Sequence, residues 1–256
     1  PLEHSIFLFT AALVAGALNS VAGGGGVIAF PALIFVGAPP IQANATYTAA
    51  LLPGGIASIG AYRKTYSESP QSTRLLLPIM VIGIAGGVMG ALLLLNTPAA
   101  LFMDLVPWLL LMATALFAIS PRVVPWMRAR ASNWKHGGRA IQLFTALLQL
   151  AIAIYIGYFG AGAGIMVLAM LALMGVENIH VMNGLKVLLV VVCNVVALIT
   201  YAAGNAVIWS YAGLMIVGGI IGGYGGAWVA QKMSPSQVRY FVIATGLVMS
   251  VYFFVR

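Results

Sequence analysis

The sequence predicts an all-α, polytopic integral membrane protein built from two homologous repeats. Three observations carry that reading. The first is composition: 62% of the residues are hydrophobic and only 6% charged, with a mean hydropathy of +1.06. A soluble domain is usually about 25% charged, so this chain has too few polar residues to cover itself. The second is a pair of glycine runs, Gly23-Gly24-Gly25-Gly26 and Gly160-Ala161-Gly162-Ala163-Gly164, each inside a long apolar stretch. The third is self-similarity. A displacement of 138 residues lays Gly24, Gly26, Gly37 and Ile41 over Gly162, Gly164, Gly175 and Ile179. Displacements of 135 and 136 lay Phe9-Thr10-Ala11 over Phe144-Thr145-Ala146, and Gly86-Gly87 with Gly90-Ala91 over Gly222-Gly223 with Gly226-Ala227. Near-equal offsets running in order along the chain indicate a duplicated unit with small insertions.

About eight hydrophobic segments follow from the pattern. Ser5 to Ala22 leads into the first glycine run, and Val27 to Val36 follows it. That second piece is about 15 Å long as a helix, half a bilayer core. Gly37-Ala38-Pro39-Pro40 ends it, and Asn44 to Tyr62 spans, with a kink expected at Pro53-Gly54-Gly55. Arg63 to Arg74 is polar. Leu75 to Leu95 spans, its Gly83, Gly86, Gly87 and Gly90 spaced for close helix contact. After the turn Asn96-Thr97-Pro98, Ala99 to Ile119 spans. The second half repeats the plan: Ala140 to Gly157, the second glycine run, Ile165 to Met174, Val181 to Tyr201, Val207 to Ala230 and Arg239 to Val255. We therefore divide the chain into a first repeat over 5–119, a basic linker over 120–139 and a second repeat over 140–256.

Ten of the twelve Lys and Arg fall in three short polar stretches between apolar runs. The positive-inside rule places Arg63–Arg74 and Ser120–Arg139 on the cytoplasmic side. Ser5 to Val36 as one helix would be about 48 Å long, against a bilayer core of roughly 30 Å. Each broken segment could cross once, or dip in and return as a hairpin. Hairpins make the two repeats inverted and put Lys232 and Arg239 inside; single crossings make the repeats parallel. The charges favour the inverted arrangement.

Four glycines in a row unwind a helix, at about 1 kcal/mol each against Ala. Unwound backbone within a bilayer is tolerated only where it is buried in protein or lines a polar cavity. The helix restarting after each break offers free N–H groups and the positive end of its dipole, which favour an anion. Glycine also lets helices approach closely, so packing is the competing reading. Paired breaks in the two halves favour a binding site. Lys186 is the basic residue well inside an apolar run, about five residues into its span. A charge there points to function, although snorkelling to the interface is open to it. The candidate substrate-binding residues are Asn19, Ser20, Gly23, Gly24, Gly25, Gly26, Thr46, Thr48, Gly160, Gly162, Gly164, Asn183, Lys186 and Asn194. Asn44 belongs to the same polar group. Asp104 sits close to a turn, and Glu177 and His180 lie in one, where His180 could serve a proton. With four acidic residues, three His and one Cys, no catalytic or metal-ligand cluster is expected, and the chain does not read as an enzyme. The net charge of +8 lies in interhelical links and is not a nucleic-acid footprint.

The residues also resemble the sulfite exporter TauE/SafE family. The resemblance rests on the Gly-rich break, Pro31-Ala32-Leu33, Gly37 and Ala43-Asn44-Ala45-Thr46. It continues in Met182-Asn183-Gly184-Leu185-Lys186, Gly222-Gly223-Tyr224-Gly225-Gly226-Ala227 and Val238-Arg239-Tyr240-Phe241-Val242-Ile243. It covers the whole chain through loose motifs, and Ala169 stands where the first half has Pro31. It implies a multi-pass transporter of the bacterial inner membrane that moves sulfite, sulfonates or sulfoacetate-like anions, with an anion channel or a transporter of another small organic anion as the alternative. A coupling proton or sodium ion would be its further partner, and no cofactor is implied.

Overall fold

The computed structural model describes residues 2–22, 24–62, 70–134, 138–176, 178–230 and 235–255. Among them there are ten helices: α1 (Leu2–Ala22), α2 (Gly26–Phe35), α3 (Pro40–Ala61), α4 (Pro70–Asn96), α5 (Ala99–Trp134), α6 (Gly138–Tyr158), α7 (Ala163–Leu173), α8 (Ile179–Ala203), α9 (Trp209–Ala230) and α10 (Pro235–Val255). Four stretches, Leu2–Asn19, Leu75–Asn96, Ala99–Val123 and His180–Ala203, are long and apolar enough to cross a membrane. The apolar surface follows: Leu77, Val81, Leu147, Ile220, Val248 and Val251 are all exposed, as lipid-facing residues are.

Both short helices are interior elements. In α2, eight of ten residues are buried, and in α7, seven of eleven. Each ends in the same cap. Gly37, at φ +86°, donates to Ile34 O, and Ala38 donates to Leu33 O. Gly175, at φ +75°, donates to Ala172 O, and Val176 donates to Leu171 O. This double bond satisfies carbonyls that a helix end would otherwise leave bare. Pro40 then opens α3 at a position where its missing N–H costs nothing. Asn178 caps α8, its side-chain oxygen accepting from the N–H groups of His180 and Val181.

The packing pairs exchange when α1–α5 are swapped with α6–α10. Helix α1 lies along α9, and α4 along α6; α9 packs on α3, and α4 on α8; α10 packs on α2, and α5 on α7. The pairs α3–α8 and α5–α10 map onto themselves. Glycines set the closest approaches. A methyl group on Gly222 of α9 would collide with the Leu13 carbonyl of α1, and one on Gly86 of α4 with Ala153 of α6. Gly90 faces the Ile154 carbonyl in the same way, and Gly16 the Gly219 carbonyl. Of these, Gly86 and Gly90 are glycines whose spacing in the sequence predicts close contact.

Several boundaries differ from expectation. Helix α5 does not stop at Ile119 but continues to Trp134, a helix of 36 residues that contains Pro107, Pro121 and Pro125. At 1.5 Å per residue it is about 54 Å long, so its basic end extends beyond a bilayer core. Proline removes one donor and crowds one carbonyl; outside the membrane, water can satisfy that carbonyl, so the helix persists. Likewise α3 starts four residues before Asn44 and runs through Pro53-Gly54-Gly55, and Pro70–Arg74 already belongs to α4. Residues 63–69 of the first polar stretch, and Glu177, Lys232 and Arg256, lie outside the described residues.

Gly222→Leu should lower the unfolding free energy in detergent by about 2–3 kcal/mol, because α1 and α9 must separate. Gly225→Ala, with nothing within 4 Å of the added methyl, should stay within about 0.5 kcal/mol of the parent. Equal thermal unfolding of both variants would mean that the helices do not depend on this approach.

Candidate functional site

At the second break the chain leaves α6 after Tyr158 and restarts as α7 at Ala163. Gly160 and Gly162 adopt φ of +75° and +72°, a region that any side chain with a Cβ enters only with strain. Four carbonyls at this break meet side-chain donors. The Tyr201 hydroxyl donates to Gly157 O and the Tyr47 hydroxyl to Phe159 O. Asn44 Nδ2 donates to Tyr158 O at 3.2 Å, and the Tyr155 hydroxyl to Ala161 O at 2.5 Å. Unpaired, each carbonyl would cost about 1–3 kcal/mol. None of these tyrosines was marked by the sequence reading. The signal available was a phenol inside an apolar run, which needs a hydrogen-bond partner when buried.

At the first break the chain folds back. A methyl group on Gly25 would lie 2.5 Å from Ala15 O and 2.9 Å from Asn19 Cβ. Ala15 is seven residues, about 10 Å, before the end of α1, so the chain reverses sharply before α2 begins. Gly24 is wedged between Phe117 and Val242, each 3.2 Å from its missing Cβ.

Between the two breaks lies a cavity of about 210 Å³. Its polar lining comes from Asn19 of α1, Tyr47, Thr48 and Ser58 of α3, and Lys186 and Asn194 of α8. Gly26, the first residue of α2, and Gly164, the second of α7, reach it as well, together with Gly160. The restarts of both short helices therefore border one space. Among the described residues the Gly164 N–H has no backbone acceptor, while its neighbours Ala163 and Ile165 bond to Gly160 O and Gly162 O. The Lys186 ammonium is half-buried and donates to Asn183 Oδ1 at 3.1 Å. Among the described residues no carboxylate pairs with it or lines the cavity.

Of the residues marked from sequence, Asn19, Gly26, Thr48, Gly160, Gly164, Lys186 and Asn194 come together here. Thr48 donates its proton to Asn44 O at 2.9 Å, so it offers the cavity an acceptor and not a donor. Gly24, Gly25 and Gly162 do not line the space; Gly162 packs on Ala113 of α5. Asn183 is not among the lining residues, but it accepts a hydrogen bond from Lys186, which is one of them. Thr46 is fully buried and accepts from the Ile208 N–H at 3.0 Å, fastening the approach to α9. Its polarity serves the fold, a distinction that spacing along the chain cannot make. Gly23 and the Ser20 side chain lie outside the described residues. Asp104 and His180 are exposed and away from the cavity lining.

The two halves contribute matched contacts. A Cβ on Gly26 would sit 3.2 Å from the Tyr47 ring; a Cβ on Gly164 would sit 3.5 Å from Lys186 Cδ. Gly26 and Gly164 are 138 residues apart, and Tyr47 and Lys186 are 139 apart. The pair Asn44 and Tyr47 thus recurs as Asn183 and Lys186, with a cation replacing a phenol.

The fold is that of a multi-pass helical membrane protein with a polar cavity between two interrupted helices. The chain belongs to the sulfite exporter TauE/SafE family, whose sequence profile matches residues 8–253. It is similar to a probable membrane transporter protein, ORF9, of Sinorhizobium sp, at 28% identity over 96% of this chain and 90% of the relative. A probable membrane transporter protein of Haemophilus influenzae is 27% identical over 95% of this chain and 91% of the relative. YfcA of Escherichia coli K12, another probable membrane transporter protein, is 28% identical over 95% of this chain and 87% of its own length. No solved structure matches the chain.

Substitutions at the glycines separate packing from lining. Gly162→Leu should reduce the yield of folded protein, because the added side chain meets Ala113 in a left-handed backbone. Gly164→Leu should fold and melt within a few degrees of the parent, yet lose transport because it fills the cavity beside Lys186. Parallel loss of yield in both variants would show that Gly164, too, is a packing residue.

Proposed function

We propose that the protein is a secondary transporter that moves small sulfur-containing anions, such as sulfite, a sulfonate or a sulfoacetate-like anion, across the bacterial inner membrane. The observation that carries this reading is the cavity with Lys186 at its wall. It joins one cation, two helix restarts and the neutral amides of Asn19 and Asn194, with no carboxylate among its described lining residues. Unit charges 4 Å apart at an effective dielectric near 20 attract by about 4 kcal/mol, before both ions are desolvated. Amide donors and helix dipoles add preference for an anion without trapping it. Family membership supports the substrate class, and the printed names of the relatives support transport.

The two halves act as inverted repeats whose broken helices re-enter. Exchange of the packing pairs supports the duplication, and the fold-back at Gly25 supports re-entry of α2. The basic stretches 63–74 and 120–139 then face the cytoplasm, and the cavity, which runs along α3 to Tyr62, opens on that side. At its other end the rings of Phe30, Phe102 and Phe159 fill the core beside Tyr47, with centroids 5.6–6.3 Å apart. A blocked end favours a carrier over an open anion channel.

Flux of labelled sulfite, sulfate and a small sulfonate into proteoliposomes tests the reading, run with and without a pH gradient and with and without sodium. Saturable uptake of sulfite or the sulfonate, accelerated by unlabelled anion on the far side, is expected. Lys186→Ala should weaken substrate affinity several-fold or more, and Lys186→Arg should keep part of it. Non-saturable flux, or an unchanged affinity for Lys186→Ala, would refute the carrier and its anion site respectively.

A further inference from the structure

The cavity ends against the second break, and two of the groups that close it there, Asn44 and Tyr47, are matched in the other half by Asn183 and Lys186, which bond to each other. On α3, residues 43–50 are all buried, whereas 51–60 are half-buried or exposed. The cavity follows the exposed half. Beyond the buried half stands the aromatic block, and beyond that a second, open depression of about 620 Å³, lined by Ile34, Ala38, Pro39, Met103, Asp104 and Phe253. Phe253 also touches Phe30, at a centroid distance of 6.1 Å, so a row of three rings, Tyr47, Phe30 and Phe253, runs from one space to the other.

We infer that Asn44, Tyr47 and Tyr201 form a latch on the second break, and that the cavity reaches the opposite face only when they release it. The inference rests on the carrier reading. Three side chains from α3 and α8 hold three successive carbonyls, Gly157, Tyr158 and Phe159, at the end of α6. Asn44 is 1% exposed, and its Oδ1 has no partner. The closed end therefore keeps one acceptor unsatisfied, and water entering on release would satisfy it together with the freed carbonyls. This makes release far less costly than breaking a fully paired core. The other half offers a comparison. Asn183 and Lys186 occupy the positions of Asn44 and Tyr47 but bond to each other. Leu168, 138 residues after Phe30, lines the cavity in place of a ring.

Thiol accessibility reads the latch directly. Cys193 is fully buried, so the parent protein gives little background with a charged, membrane-impermeant methanethiosulfonate. Thr48→Cys, deep in the cavity, is labelled in right-side-out and inverted vesicles without substrate; Ser58→Cys, towards the Tyr62 end, reports that the fold is intact. With the latch present, Thr48→Cys should react from one face only. Adding Tyr47→Phe and Tyr201→Phe should raise its labelling from the other face about tenfold, as two hydroxyl bonds are lost, with Ser58→Cys unchanged. An unaltered ratio of the two faces would overturn the latch. Should the double change abolish Ser58→Cys labelling, Tyr47→Phe alone decides, with a smaller rise expected and no rise refuting. An unchanged affinity for Lys186→Ala would remove the anion site and leave this ratio as it is, so the two failures are distinguishable.

Discussion

Backbone polar groups inside a membrane must find partners within the protein, and this structure is arranged around the two places where its helices cannot supply them. Regular helix satisfies every N–H and C=O for most of the chain. The breaks around Gly24 and Gly160 release several at once. At the second break the solution is explicit: Tyr47, Tyr155, Tyr201 and Asn44 take up the carbonyls one by one. On the restarting side Ala163 and Ile165 keep backbone bonds, while among the described residues the N–H of Gly164, which lines the cavity, has no backbone acceptor. The cavity beside this break has Lys186 and no carboxylate among its described lining residues, which is the basis of the proposed anion site.

The glycine stripes answer a related need. Without a hydrophobic drive between helices in lipid, contact depends on close approach. Gly222 on Leu13 and Gly86 on Ala153 let the first helix of each half lie against the fourth helix of the other. The halves therefore interlock and do not merely adjoin. The cavity forms along the α3–α8 seam at the centre of that interlock, where both broken segments end.

Much of this was legible in the sequence because glycine and lysine are exceptional in apolar runs. The breaks, their spacing, the capping Gly37 and Gly175, and Lys186 all stand out against a background of Leu, Ile, Val and Ala. The tyrosine caps did not stand out, because a Tyr at a membrane helix suits either an interface or a core. Thr46 and Thr48 are two residues apart and look alike in sequence, yet one secures a backbone N–H on α9's approach and the other lines the cavity. The continuation of α5 past Ile119 was hidden because the sequence turns polar and basic from Ser120, which ends the apolar run without ending the helix. Gly24 and Gly162 drew attention as part of the breaks, whereas the side of the helix they present decides that they pack and Gly26 and Gly164 line.

The halves differ most where they would meet a ligand. Tyr47 is tied to backbone and Lys186 is tied only to a side chain, so the charge in the cavity is one-sided. Location of a bound anion tests this account most directly. Selenite, the selenium analogue of sulfite, can be soaked into crystals of the protein and found by anomalous scattering. The account predicts a selenium peak in the cavity beside Gly164, within about 4 Å of the Lys186 ammonium, which disappears in Lys186→Ala. A peak elsewhere, or one in the cavity that persists without Lys186, would contradict it.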